Sequence, residues 1–139
     1  MKFQVFGMLS VGILCTTISM LLASTGNVVR GPPKILAPGN KTFNVKKDET
    51  PIITCKAKTE YAKESSTLIY WLANATFIED LYPTSRVAEG PERQNHSLIE
   101  RDLHFRKLEK EDIYTNFTCI VLNPFGKDEA RIKLALINL

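Results

Sequence analysis

An all-β sandwich is the fold class this sequence predicts, on three observations. Short runs rich in β-branched and aromatic residues recur between Pro, Gly and Asn turn signals. No stretch beyond the first 26 residues has a convincing helical period. Two cysteines, Cys55 and Cys119, lie on either side of the single tryptophan, Trp71.

The elements follow in order. MKFQVFGMLSVGILCTTISMLLASTG has a charged start at Lys2, an apolar middle and a small-residue end. That is the pattern of a secretory signal peptide, expected over 1–25 and removed with Lys2 and Cys15; the alternative, given the length of the apolar run, is an uncleaved N-terminal anchor. Residues 26–46 are expected to form an N-terminal arm with an edge strand, since NVVRGPPKILAPGN is rich in Pro and Gly. Residues 47–139 hold the domain. PIITCKAK (51–58) alternates, TLIYWLAN (67–74) is a strong strand, and NFTCIVLN (116–123) is a strand stopped by Pro124 and Gly126. SLIERDLHFRKL (97–108) is mixed, with Leu103 and Phe105 two apart, and ARIKLALINL (130–139) alternates. DLYPTSRVAEGPERQNH (80–96) is loop-like, with a short strand near Val87.

The cysteines and the tryptophan narrow the class to a single immunoglobulin-like β-sandwich. In that fold a strand B cysteine bonds to a strand F cysteine and a strand C tryptophan packs on the bridge. A Cys55–Cys119 inter-sheet disulfide and a core Trp71 are therefore predicted, the bridge stabilising by roughly 4 kcal/mol in the chain-entropy model. One residue departs from the pattern. The tyrosine usual two residues before the second cysteine is Phe117, without a hydroxyl, and Tyr114 comes too early to replace it.

Composition excludes several classes. The chain carries 18 basic and 15 acidic residues, interleaved, with no basic stripe for nucleic acid. Its two histidines are His96 and His104, neither in a nucleophile motif, and bonded cysteines are neither nucleophiles nor zinc ligands. Glu79 and Asp80 would point apart on a strand. The reading is no catalytic site, no metal, no cofactor, and no membrane contact after signal removal. Asn40, Asn74, Asn95 and Asn116 each open an Asn-x-Ser/Thr triplet, the acceptor pattern for N-linked sugars in an exported, extracellular protein.

Strand parity then exposes a surface. If Trp71 and Ile69 face the core, Ser66, Leu68, Tyr70 and Leu72 face out. If Cys119, Phe117 and Val121 face in, Ile120 and Leu122 face out, with Arg131 and Lys133 beside them. A contiguous apolar patch with a charged rim is more than a small monomer usually shows, and reads as a protein-binding face. The bland alternative is that the loop after Phe77, or a sugar, covers it. The apolar end of ARIKLALINL adds an expectation of self-association, through that edge strand or through the strand C face.

YWLANATFIEDLYP (70–83), Glu89-Gly90 and YTNFTCIVLNP (114–124) resemble the interleukin-18-binding proteins, secreted single-immunoglobulin-domain decoys of mammals and poxviruses. The resemblance covers roughly 50–137 and looks more like the poxviral members. It implies interleukin-18 as partner, with Tyr70 and Phe77 as anchors. Phe77 rests on the resemblance alone, because parity does not carry across the bend at Asn74. The family's further aromatic, four residues before the tyrosine, is Ser66 here, which shifts weight to Leu68, Tyr70 and Phe77. Two rivals stand beside this reading: an adhesion- or receptor-type immunoglobulin module, and a decoy for a related cytokine.

Overall fold

A computed structural model describes residues 31–60 and 66–137. The signal-peptide segment, Cys15 and the last two residues lie outside the described residues. Among the described residues, ten strands form two sheets: β1 (Lys34–Ala37), β2 (Lys41–Lys46), β3 (Ile52–Lys58), β4 (Leu68–Ala73), β5 (Thr76–Phe77), β6 (Val87–Glu89), β7 (Arg93–Asn95), β8 (Leu98–Phe105), β9 (Phe117–Asn123) and β10 (Gly126–Ile137). One sheet runs β1-β3-β8-β6 with β7 also on β8, and the other runs β2-β10-β9-β4-β5. A short helix α1 (Ile78–Leu81) follows β5, and a 3-10 turn (Lys110–Tyr114) joins the sheets before β9.

The sandwich forms because alternation holds in the strands that face each other. In β4, Ile69, Trp71 and Ala73 are buried while Leu68 is exposed; in β8, Ile99, Leu103 and Phe105 are buried. Trp71 lies opposite Cys119 in the β4–β9 register. Cys119 bonds to Cys55 on β3, with a Cα–Cα distance of 6.4 Å, so the bridge ties the two sheets. The Trp71 indole N–H donates to the Arg101 carbonyl at 3.1 Å, so the ring is buried without an orphaned donor.

The corner where a tyrosine is missing is held another way. Phe117 packs edge-on to Phe105, ring centroids 5.0 Å apart. Arg86 donates two hydrogen bonds to the buried Asp112 carboxylate, at 2.7 and 2.9 Å. Asp112 also accepts the Glu109 N–H at 2.8 Å, in a capping box that closes the 3-10 turn. The bonds to Asp112 raise the Arg86 pKa. A bidentate ion pair to a buried carboxylate thus ties Arg86 to the 3-10 turn.

Three expectations need correction. Glu79 and Asp80 lie on α1, not on a strand. The N-terminal arm supplies a strand to each sheet: β1 pairs β3, and β2 pairs β10 in parallel. Consequently β10 is not an edge. Ile132–Ile137 are paired with Lys41–Lys46, so β2 forms the border and the edge-pairing argument for a dimer loses its premise. The arm is fastened by side chains, the Asp128 carboxylate accepting the Ile35 N–H at 2.8 Å and the Asn123 amide donating to the Gly31 carbonyl at 2.9 Å.

Candidate binding face

The candidate site is the outer face of β9, β4 and β5. Antiparallel pairing sets Leu68 opposite Leu122, Tyr70 opposite Ile120 and Leu72 opposite Thr118. A two-residue turn at Asn74 and Ala75, with φ of 48° and 62°, returns the chain so that Phe77 lies opposite Leu72. Positive φ at both positions is what a tight hairpin needs to match the strand twist. Phe77 therefore shares a face with Tyr70, and their ring centroids are 5.8 Å apart with planes tilted by 48°. Leu68 and Phe77 are 55% and 53% exposed, so neither α1 nor the chain beyond it covers this face.

Not every expected residue takes part equally. Ile120 points outward but is only 7% exposed, lying between Tyr70 on β4 and Glu129 on β10. Ser66 is half-buried ahead of β4 and lies outside the groove. Leu72 and Leu122 are half-buried. Arg131 and Lys133 are exposed on β10, as parity requires.

An open groove of about 530 Å³ runs beside Leu68, Tyr70, Phe77 and Leu122. Glu79, Glu89, Glu92 and Arg101 form its polar side. Glu92 and Arg101 were not singled out in the sequence. Arg101 has the same parity in β8 as Ile99 and Leu103, and Glu89 the same parity in β6 as Val87. Both charges therefore point inward, and they meet at 3.7 Å where the sandwich opens beside β4. Arg101 donates to the Ile69 carbonyl and the Gly90 carbonyl, each at 3.0 Å, while the Glu89 carboxylate accepts the Trp71 N–H. Burial is the main cause that raises the Glu89 pKa, opposed by the Trp71 N–H and Arg101. Side chains from one sheet thus satisfy the unpaired edge of the other, a known way to protect an edge strand. An arginine at an inward position was the signal that could have found it.

This arrangement has the chemistry of a protein-binding surface. Leu68, Tyr70 and Phe77 supply rigid apolar area, and the carboxylates and Arg101 supply a charged border. Fold and face together define an immunoglobulin-type recognition module. Solved structures agree on the fold: a complex of Dpr2 Ig1-Ig2 with DIP-Theta Ig1-Ig3 has a TM-score of 0.63 at 21% identity, covering 79% of this chain and 34% of that one. The I-band fragment I67-I69 from titin gives 0.57 at 18% identity, over 78% of this chain and 33% of that one.

The family described as YLDV-IL18BP-like, Yaba-Like Disease Virus IL18BP, matches residues 40–137, and the chain belongs to it. Among curated relatives, interleukin-1 receptor type 2 of Mus musculus is 32% identical over 112 residues, covering 78% of this chain and 27% of that protein. The Homo sapiens counterpart is 35% identical over 95 residues, 66% of this chain and 24% of that protein. Interleukin-1 receptor accessory protein-like 1-B of Danio rerio is 32% identical over 121 residues, 82% and 17% respectively. The chain therefore spans less than a third of these relatives' length. No helix among the described residues is long and apolar enough to cross a membrane.

Proposed function

We propose that this protein is an extracellular decoy that binds interleukin-18 through the outer face of β4, β5 and β9 and so blocks receptor engagement. The observation that carries this reading is the outward-facing pair of half-buried Tyr70 and exposed Phe77, flanked by exposed Leu68, in a chain whose family is described by an interleukin-18-binding protein. Sequestration needs no covalent step; a few aromatics buried at the centre of the contact would dominate its energy. Tyr and Phe suit this because each covers a large area with few rotatable bonds.

The test is direct binding of purified protein to a panel of cytokines of the interleukin-1 and interleukin-18 kind. Tight binding to interleukin-18, with competition against its receptor, supports the reading. Binding to a different member of the panel replaces the partner and keeps the mechanism. Light scattering on the same sample separates a third case: a homodimer through the β4 face would hide Tyr70 and Phe77 and compete with cytokine.

A further inference from the structure

Three of the four Asn-x-Ser/Thr triplets fall on one side of the binding sheet. Asn74 ends β4 and Asn116 precedes β9, and they meet directly: the Asn74 N–H donates to the Asn116 carbonyl at 2.9 Å, and the Asn116 N–H donates to the Asn74 side-chain oxygen at 3.0 Å. Asn40 precedes β2, and its side-chain oxygen accepts the Arg131 N–H at 2.8 Å. All three side chains are exposed. In Asn40 and Asn74 the amide oxygen is engaged by backbone, while the nitrogen, the atom a sugar takes, has no hydrogen-bond partner among the described residues. An N-linked amide keeps its oxygen as acceptor, so both bonds survive the modification.

The register shows where these sugars would stand. Asn40 sits at the β2 border beside Arg131, and Asn74 and Asn116 share the row past Ala73 and Phe117. A second shallow groove, about 270 Å³, lies between them, lined in part by Leu72, Thr118 and Ile120. The fourth triplet, Asn95, is in β7 on the opposite sheet. Toward the β4 edge, where Glu79, Glu89, Glu92 and Arg101 stand, there is no acceptor triplet.

We propose that Asn40, Asn74 and Asn116 carry N-linked sugars that wall off the β2 border and the β4–β9 rim, so that a protein partner reaches Tyr70 and Phe77 only over the acidic β4 edge. The proposal rests on the binding face assigned above and adds the direction of approach. Its ligand chemistry is the asparagine-linked oligosaccharide of the secretory pathway. Its consequence is a face that is sterically one-sided despite being nearly flat.

Full-length protein secreted from mammalian cells tests it. Glycopeptide mapping reads occupancy without any cytokine and is expected to find sugar on all three residues; finding any one of them bare overturns the wall. Asn40→Gln, Thr76→Ala and Asn116→Gln are then combined, Thr76→Ala removing the Asn74 triplet without altering the turn that places Phe77, with the melting temperature confirming a folded product. Labelling of Lys41 and Lys133 by a bulky polymer amine reagent should rise several-fold in that variant, with Lys127 at the other end of β10 unchanged; equal labelling with and without sugars overturns the shielding. Interleukin-18 affinity should stay within about 3-fold, since the approach side is unaltered. Changing Glu92→Asn, Gln94→Thr and Asn95→Gln moves an acceptor triplet onto the β4 edge and should weaken binding by at least about 100-fold. Wild-type affinity with a sugar confirmed at position 92 overturns the approach direction. Failure of the unmodified protein to bind interleukin-18 at all would instead count against the proposed function, leaving the occupancy and labelling results to decide the wall.

Discussion

Tyr70 and Phe77 stand 5.8 Å apart, centroid to centroid, although a reversal of the chain separates them. Their proximity depends on the Asn74–Ala75 turn, because that turn sets Phe77 opposite Leu72 and diagonal to Tyr70. Tyr70's neighbour Trp71 faces the other way, into the disulfide. One strand therefore carries the proposed binding surface and the core anchor on consecutive residues, and mutation should separate the two.

The turn itself yields the first expectation. Ala75 has φ of 62°, a region that costs a residue with a Cβ roughly 1–2 kcal/mol. Ala75→Gly should stabilise the domain by up to about 1 kcal/mol, offset in part by the greater freedom of glycine in the unfolded chain. Chemical denaturation checks this. The substitution falls at the free middle position of the Asn-x-Thr triplet, so Asn74 and Thr76 still form an acceptor site.

The Arg86–Asp112 pair should be among the least tolerant sites outside the hydrophobic core. Asp112 is 1% exposed and receives two bonds from Arg86. Arg86→Ala leaves that carboxylate buried without its partner, which typically costs about 3–5 kcal/mol. A melting temperature lowered by only a degree or two would show that Glu109 and the turn backbone hold the corner unaided.

At the open side of the sandwich, Arg101→Met keeps the length of the stem but removes the donors to the Ile69 and Gly90 carbonyls. Each buried acceptor left unsatisfied costs about 1–3 kcal/mol. Glu89 then also loses its counter-charge. Loss of stability with faster hydrogen exchange confined to β4 and β6 is the expected result, measured by exchange mass spectrometry.

On the outside of the other sheet, Arg93 binds Asp102 through two bonds and thereby lowers the Asp102 pKa from 3.8 to about 2, helped by Thr54. A carboxylate with a depressed folded pKa adds stability that is present above the unfolded value and lost as pH falls through the folded one. Wild type should therefore exceed Asp102→Asn in stability above about pH 4, with the gap closing toward pH 2. The gap should be small, because Arg93 is solvent-exposed. Parallel melts across that range measure it.

Much of this was legible in the residues. Period-two alternation around Cys55, Trp71 and Cys119 fixes which side chains face inward, so the outward set Leu68, Tyr70, Leu72 and Leu122 follows without coordinates. Ile120 escapes that logic: parity gives direction, whereas its burial depends on flanking strands. Phe77 could not be placed by alternation, since a turn with two positive φ values breaks the count. The four residues of α1 are too few to show a helical period. The pairing of β2 with β10 joins segments about 90 residues apart, and no local pattern in KTFNVK announces it. Glu89–Arg101 is a long-range polar contact visible beforehand only as charges at positions that alternation turns inward, and Arg86–Asp112 joins a loop residue to the 3-10 turn, where alternation says nothing.

The central claim is that the outward face of β4 binds cytokine, and the affinity of Tyr70→Ala for interleukin-18 tests it most directly. Truncating a buried interface anchor costs about 2 kcal/mol, so roughly a 30-fold loss is expected with the melting temperature nearly unchanged, and Phe77→Ala should behave alike. Trp71→Ala serves as the contrast, losing about 3–5 kcal/mol of stability through a core cavity. Wild-type affinity in both Tyr70→Ala and Phe77→Ala would contradict the account.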